Sequence, residues 1–333
     1  MARTVLAKPG LETHYRTATG PRTTPLTDPN GIRLPREISI GRVNVYSRDE
    51  NSVIFKPSCR FWVDSEEVDE PDASWREDYE AFQCFKTSRL DQDAWTGLPI
   101  LQKPTYGSLW NFLNEYTSKL YTVKAEATSP KDRIKSEFLP LVYQWTLQLL
   151  SAVVLVHSHD IAYGVFSKES CWLSAESLDI SLAGFVNSDF RDPEKGWQFR
   201  GDFFDGSDFL PESLPPSRMV RNPTLGTDIF MFGNLIYGIM TCHAPGEGKG
   251  HGPGETERLM RDEDWMPDLE DEFMGKIVHK CWRFQYDTVE ELQSEVRALI
   301  ESYGWTVSGD ELEELDIDHI KTLLQGSLSN SGQ

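Results

Sequence analysis

Apolar residues crowd every side of the stretch TDIFMFGNLIYGIMT at 227–241, where only Gly233, Asn234 and Gly238 interrupt Ile229, Phe230, Met231, Phe232, Leu235, Ile236, Tyr237, Ile239 and Met240. A helix that is apolar all round belongs inside a large unit with other helices packed on it. The Thr227-Asp228 pair that opens the stretch can cap its start. At roughly 15 residues it is too short to cross a bilayer.

Upstream the pattern is different. From Ile38, ISIGRVNVY, a polar SRDENS and SVIFKP predict an antiparallel hairpin with Lys56 near the end of its second strand. The acidic run SEEVDEPDA reads as a solvated loop. Ser74-x-x-Glu77 is a capping box for a short helix carrying Tyr79, Phe82 and Phe85, followed by a strand-like LPIL at 98–101 and a helix SLWNFLNEY at 108–116.

Beyond Lys131 the pattern is helical. A long helix over 139–157 shows Val142, Trp145, Leu149, Val153 and Val156 on one stripe; Gln144, Thr146, Gln148 and Ser151 break its apolar run, so it reads as a buried helix rather than a membrane span. Two β-like runs, CWLS at 171–174 and LDISLAGF at 178–185, precede a polar, Gly- and Pro-rich loop that reaches Thr227. Leu269, Phe273, Ile277 and Cys281 step by four along another helix, and Thr288-x-x-Glu291 caps the next, with Val289, Leu292, Val296 and Leu299 on its stripe. A third box, Ser308-x-x-Glu311, opens a last helix whose Leu312, Leu315, Ile320, Leu323 and Leu324 precede Gly326. Residues 1–35, rich in Thr, Pro, Gly and Arg without apolar period, are expected to be disordered.

Composition narrows the partners. The 333 residues carry 33 basic and 53 acidic side chains, a net charge of −20 that repels phosphate backbones and anionic membranes, so neither nucleic acid nor membrane is expected as a partner. Cys59, Cys84, Cys171, Cys242 and Cys281 are odd in number and form no Cys-x-x-Cys, which fits a reducing compartment, cytoplasm or nucleus, and no metal site. Arg3, Lys8, Arg16 and Arg22 near the start suggest a mitochondrial leader, but Pro9, Gly10 and Gly20 spoil the amphipathic helix it needs; no signal-peptide apolar core is present either.

The order of these pieces, with VHSHDIAYGVFSKESCWLS, DISLAGF, FLPES and TDIFMFGNLIYGIMT at workable spacing, resembles the protein kinase superfamily, in the manner of divergent fungal kinase-like proteins. The resemblance covers roughly 36–303 and implies an α+β, bilobal protein-kinase-like fold: a disordered tail at 1–35, a small β-rich N-lobe at 36–104, a larger α-helical C-lobe at 105–303, and a C-terminal helix and tail at 304–333. It also implies roles. Lys56 is the nucleotide-contacting lysine with Glu77 or Asp78 as its carboxylate partner, a vestigial site. Glu212 belongs to the counterpart of Ala-Pro-Glu, and Phe82, Tyr163 and Phe185 stack as an apolar column. Asp228 is the buried aspartate of the central helix, accepting backbone N–H bonds from the loop at 163–170, and Cys281-Trp282 matches a frequent late-helix pair.

The chemistry is missing from that frame. Kinase catalysis needs an Asp to accept the hydroxyl proton and an Asn and a second Asp to hold magnesium. Tyr163-Gly164-Val165 stands in place of His-Arg-Asp, Ser170 in place of Asn, and Gly184-Phe185-Val186 in place of Asp-Phe-Gly; no G-x-G-x-x-G covers the phosphates, and Gly41 stands alone. The expectation is a pseudokinase, not an enzyme, that binds or scaffolds proteins and uses no cofactor beyond weak, metal-independent ATP binding. Two alternatives stand beside it. One is a divergent kinase using displaced Asp160, after His159, and Asp179, nineteen residues later. The other is a sensor that binds ATP without turnover.

Overall fold

The computed structural model describes residues 26–40, 43–57, 100–122, 132–164, 166–183, 188–192, 196–198, 224–247, 250–251 and 253–326. The chain divides into two compact units, Met1–Thr105 with Arg200–Asp202, and Tyr106–Phe199 with Phe203–Gln333. It mixes helix with small sheets whose strand pairs are all antiparallel, and helix is the larger share of the described residues.

In the first unit, β1 (Arg36–Ile40), β2 (Val43–Ser47), β3 (Ser52–Pro57) and β4 (Ile100–Gln102) form one sheet in chain order. The expected hairpin is β2–β3, with Val45 opposite Phe55 and Asn44 opposite Lys56. ISIGRVNVY, expected as a single strand, contributes to two, β1 and β2, with Ile40 paired to Val43. Within the tail expected to be disordered, residues 26–35 carry local structure. Asp28 accepts the N–H of Asn30 and Ile32 at 2.9 and 2.8 Å, an Asx turn that pairs Thr27 with Arg33 and lets Leu26 pack on Tyr46 and Ile54.

The second unit is built on α1 (Leu109–Leu120), α2 (Leu139–Ser158) and α3 (Leu225–Thr241), joined later by α4 (Pro253–Asp262), α5 (Gly275–Trp282), α6 (Val289–Ser302) and α7 (Ile317–Gln325), with the two-residue strands β5 (Gly107–Ser108), β6 (Tyr121–Thr122) and β7 (Arg133–Ile134) around α1 and before α2. All but Leu225, Gly226 and Asn234 of the 17 residues of α3 are buried. The helix begins two residues before the expected start. Thr224, not Thr227, caps it: the Thr224 hydroxyl accepts the Thr227 N–H at 3.0 Å and the Thr227 hydroxyl accepts the Thr224 N–H at 2.7 Å. α3 and α5 lie so close that a Cβ on Gly233 would meet the Cys281 Cβ at 2.8 Å, and Trp282 Nε1 donates to Asn234 Oδ1 at 2.7 Å across the same contact. α2 packs on α6, and although Ser136–Ser158 is long and apolar enough to cross a membrane, most of it is buried inside this core.

Three further expectations need correction. The step of four over 269–281 is not one helix: Asp271–Phe273 is a 3₁₀ turn, Met274 at φ 65° breaks the chain direction, and α5 starts after it, yet Leu269, Phe273, Ile277 and Cys281 all reach the core. The polar loop before Thr227 contains strands β11 (Asp189–Asp192) and β12 (Gly196–Gln198), with β11 paired also to β8 (Ile161–Ala162). Ser308-x-x-Glu311 caps nothing: β13 (Val307–Ser308) and β14 (Glu311–Leu312) form a hairpin turning on Gly309 at φ 63°, and α7 is capped instead by Asp316, which accepts the His319 N–H at 2.8 Å. By contrast Thr288 does cap α6, whose stripe closes on Ile300 rather than Leu299. Leu312, Ile320 and Leu324 lie in the main core, and the Leu312 N–H donates to buried Gln144 Oε1 at 2.6 Å. The C-terminal segment is therefore docked on the second unit.

Candidate functional site

The loop that follows α2 and β8 runs from Tyr163 to Ser170 and leads into β9 (Cys171–Leu173), which pairs with β10 (Ile180–Leu182). Apolar packing fixes its ends. Tyr163 is fully buried with its ring 4.7 Å from Phe166, and Phe166 meets Phe232 of α3 edge-on at 6.2 Å. The Tyr163 hydroxyl donates to the Ala183 carbonyl, and burial pushes its pKa well above the ordinary tyrosine value.

Asp228 holds the loop from below. Its carboxylate has no exposed surface; Oδ2 accepts the Tyr163 N–H at 2.6 Å, Oδ1 the Gly164 N–H at 2.8 Å, and His157 Nε2 lies 2.9 Å from Oδ2. Burial raises its pKa, and the His157 side chain and the two backbone N–H groups pull the other way. Its place in the first turn of α3 adds the positive end of the helix dipole. Gly164 carries φ 90°, a backbone that a side chain at that position would strain.

Ser170 is turned inward rather than toward a ligand. Its hydroxyl donates to the Ser167 carbonyl at 2.9 Å and accepts the Ser167 N–H at 3.0 Å, while the Ser167 hydroxyl accepts the Ser170 N–H at 3.2 Å. Two residues just outside strands complete the hold: Ser188 Oγ donates to the Tyr163 carbonyl at 2.9 Å, and the Ala183 N–H to the Ser170 carbonyl at 2.8 Å. Lys168 lies along Gly238, where its Cε would be 3.2 Å from an added Cβ; burial lowers its pKa, with Cys242, Glu169 and Glu247 opposing. This arrangement positions backbone. The polar groups of Tyr163, Ser170 and Asp228 are engaged within the protein.

Of the residues singled out by sequence, Tyr163, Gly164, Ser170 and Asp228 come together here. Val165, Gly184, Phe185, Val186, Glu77, Asp78, Phe82 and Glu212 lie outside the described residues, as does the side chain of Lys56, whose backbone sits in β3. Arg283 lies 3.2 Å from Asp264. The two alternative aspartates occupy separate surroundings. Asp160 is exposed in the turn after α2 at φ 54°, with its carbonyl accepting the Arg191 N–H, whereas Asp179 accepts from Gln148 Nε2 at 2.7 Å and from the Ser177 hydroxyl. His157 and Ser188 were not anticipated. The signal for His157 was its place four residues after Val153 on the inward stripe of α2. Among the described residues no group of three or more His, Cys, Asp or Glu side chains is arranged to hold a metal ion. No family model and no curated protein matches the chain.

Proposed function

We propose that the chain is a bilobal, protein-kinase-like module that transfers no phosphate and works by binding or scaffolding protein partners. One observation carries the reading: the buried Asp228 carboxylate of the central helix takes the backbone N–H groups of both Tyr163 and Gly164, the anchorage that the resemblance implies for a kinase catalytic loop. What the anchored loop presents supports inactivity. Val165 has no proton-accepting group, Gly184 no carboxylate for magnesium, and the Ser170 hydroxyl is spent on Ser167. The alternative with displaced aspartates draws less support, because Asp160 and Asp179 engage different partners in different turns.

The cytoplasm is the proposed compartment, since Cys171, Cys242 and Cys281 are free thiols, two of them buried. Lys56 alone would offset little of the roughly four negative charges of a triphosphate, which kinases balance with magnesium and a glycine-rich loop. Thermal melting of the full chain with ATP, with and without magnesium, tests the reading. A small shift at millimolar ATP that magnesium does not enlarge agrees with it; a clear magnesium-dependent shift that disappears in Asp160→Asn or Asp179→Asn would establish the displaced-aspartate enzyme instead.

A further inference from the structure

The β13–β14 hairpin sorts its side chains by strand alternation. Val307 faces Leu312 and Ser308 faces Glu311, so each pair shares one face. Leu312 is buried, which sends Ser308 and Glu311 to the outer face, where both are exposed. Arg297 of α6 donates to the Val307 carbonyl at 3.0 Å and to the Gly309 carbonyl, the two groups flanking Ser308, and stands 4.0 Å from Glu301. Asp310, Glu311, Glu313 and Glu314 follow the serine within six positions.

We infer that Ser308 is a phosphorylation site for a separate protein kinase with a basic substrate groove, and that its phosphate releases the docked C-terminal segment. In the transfer, Ser308 Oγ forms a bond to the γ-phosphorus of that kinase's nucleoside triphosphate. The bond from that phosphorus to the bridging oxygen breaks, the nucleoside diphosphate leaves, and the hydroxyl proton passes to the kinase's base. The product carries close to two negative charges. Across the strand pair it faces the Glu311 carboxylate at about 5 Å between Cβ atoms, with Asp310 beside it. The nearby guanidinium already serves two carbonyls. Repulsion therefore parts the strands, and β14 carries the Leu312 N–H bond to Gln144. Downstream, α7 is held by buried Ile320 and Leu324, by partly buried Ile317 and Leu323, and by the bonds from Lys119 to the Leu324 carbonyl and from Lys321 to the Glu176 carbonyl.

The test treats the full chain with an acid-directed serine kinase and magnesium ATP, maps phosphate by peptide mass, and follows amide hydrogen exchange. The expected result is phosphate on Ser308, none at that position in Ser308→Ala, and at least about tenfold faster exchange at residue 312 and through 317–325 while α3 is unchanged. Unphosphorylated Ser308→Ala should exchange like the wild type. Phosphate placed elsewhere with Ser308 unmodified overturns the site. Phosphate on Ser308 with exchange unchanged or slower, as recruitment by Arg297 would give, overturns the release.

Discussion

Taking a carboxylate out of water costs several kcal/mol, and Asp228 meets that cost with three close partners, the N–H groups of Tyr163 and Gly164 and the His157 ring. Asp228→Ala leaves two buried N–H groups and an imidazole without their acceptor, so stability should fall by on the order of 3 kcal/mol or more. Chemical denaturation measures this, and an unchanged midpoint would mean that the loop is held by other contacts. Asp228 was legible through the resemblance, which implies a buried aspartate at the head of the central helix. His157 was not, because its partner lies 71 positions away and only the packing of α2 against α3 joins them. A second expectation at this scale concerns alkaline pH. Burial pushes the Cys171 thiol up to about 12 and raises Cys281, Tyr121 and Tyr163 as well. Each folded-state value lies above the unfolded one, so the stabilisation is complete below the ordinary thiol value and is lost as pH rises. Melting temperatures should therefore fall between about pH 9 and 12, and Cys171→Ala should make that fall shallower; equal slopes in the two proteins would show that Cys171 is not among the groups responsible.

Helix periodicity carried most of the elements, and turn chemistry hid the rest. The stripes of α2, α3 and α6 are long enough for the 3.6-residue period to stand out. The C-terminal segment misled because Ser-x-x-Glu serves equally as a capping box and as the two flanks of a Gly-Asp turn; here Gly309 takes positive φ and the hairpin wins. Strands β11 and β12 were missed because only Phe190 and Trp197 mark them within polar sequence. The docked stripe survives the change of secondary structure, since Leu312, Ile320 and Leu324 are buried all the same. Each fully buried leucine or isoleucine contributes on the order of 1.5 to 3 kcal/mol before entropy is subtracted. Deleting residues 308–333 removes all three and also unpairs Gln144, so the melting temperature should drop by several degrees or more in a scanning fluorescence melt. A truncated chain that melts with the full one would show that the docking adds nothing to stability.

For the molecule as a whole, charge and site composition act in the same direction. A net charge of −20 repels a triphosphate as it repels nucleic acid, and the candidate loop has its backbone fixed on a buried carboxylate. The two-unit division falls between Thr105 and Tyr106, within the QKPTYG connection. The small unit was the harder to read, because a four-stranded sheet leaves short alternating runs whose turns must be recognised one at a time. The most direct test of the central claim is transfer of labelled phosphate from ATP by the purified full chain, to itself and to generic protein substrates, in magnesium and in manganese. No incorporation above that of a heat-denatured control is expected. Incorporation that Asp160→Asn or Asp179→Asn abolishes would contradict it.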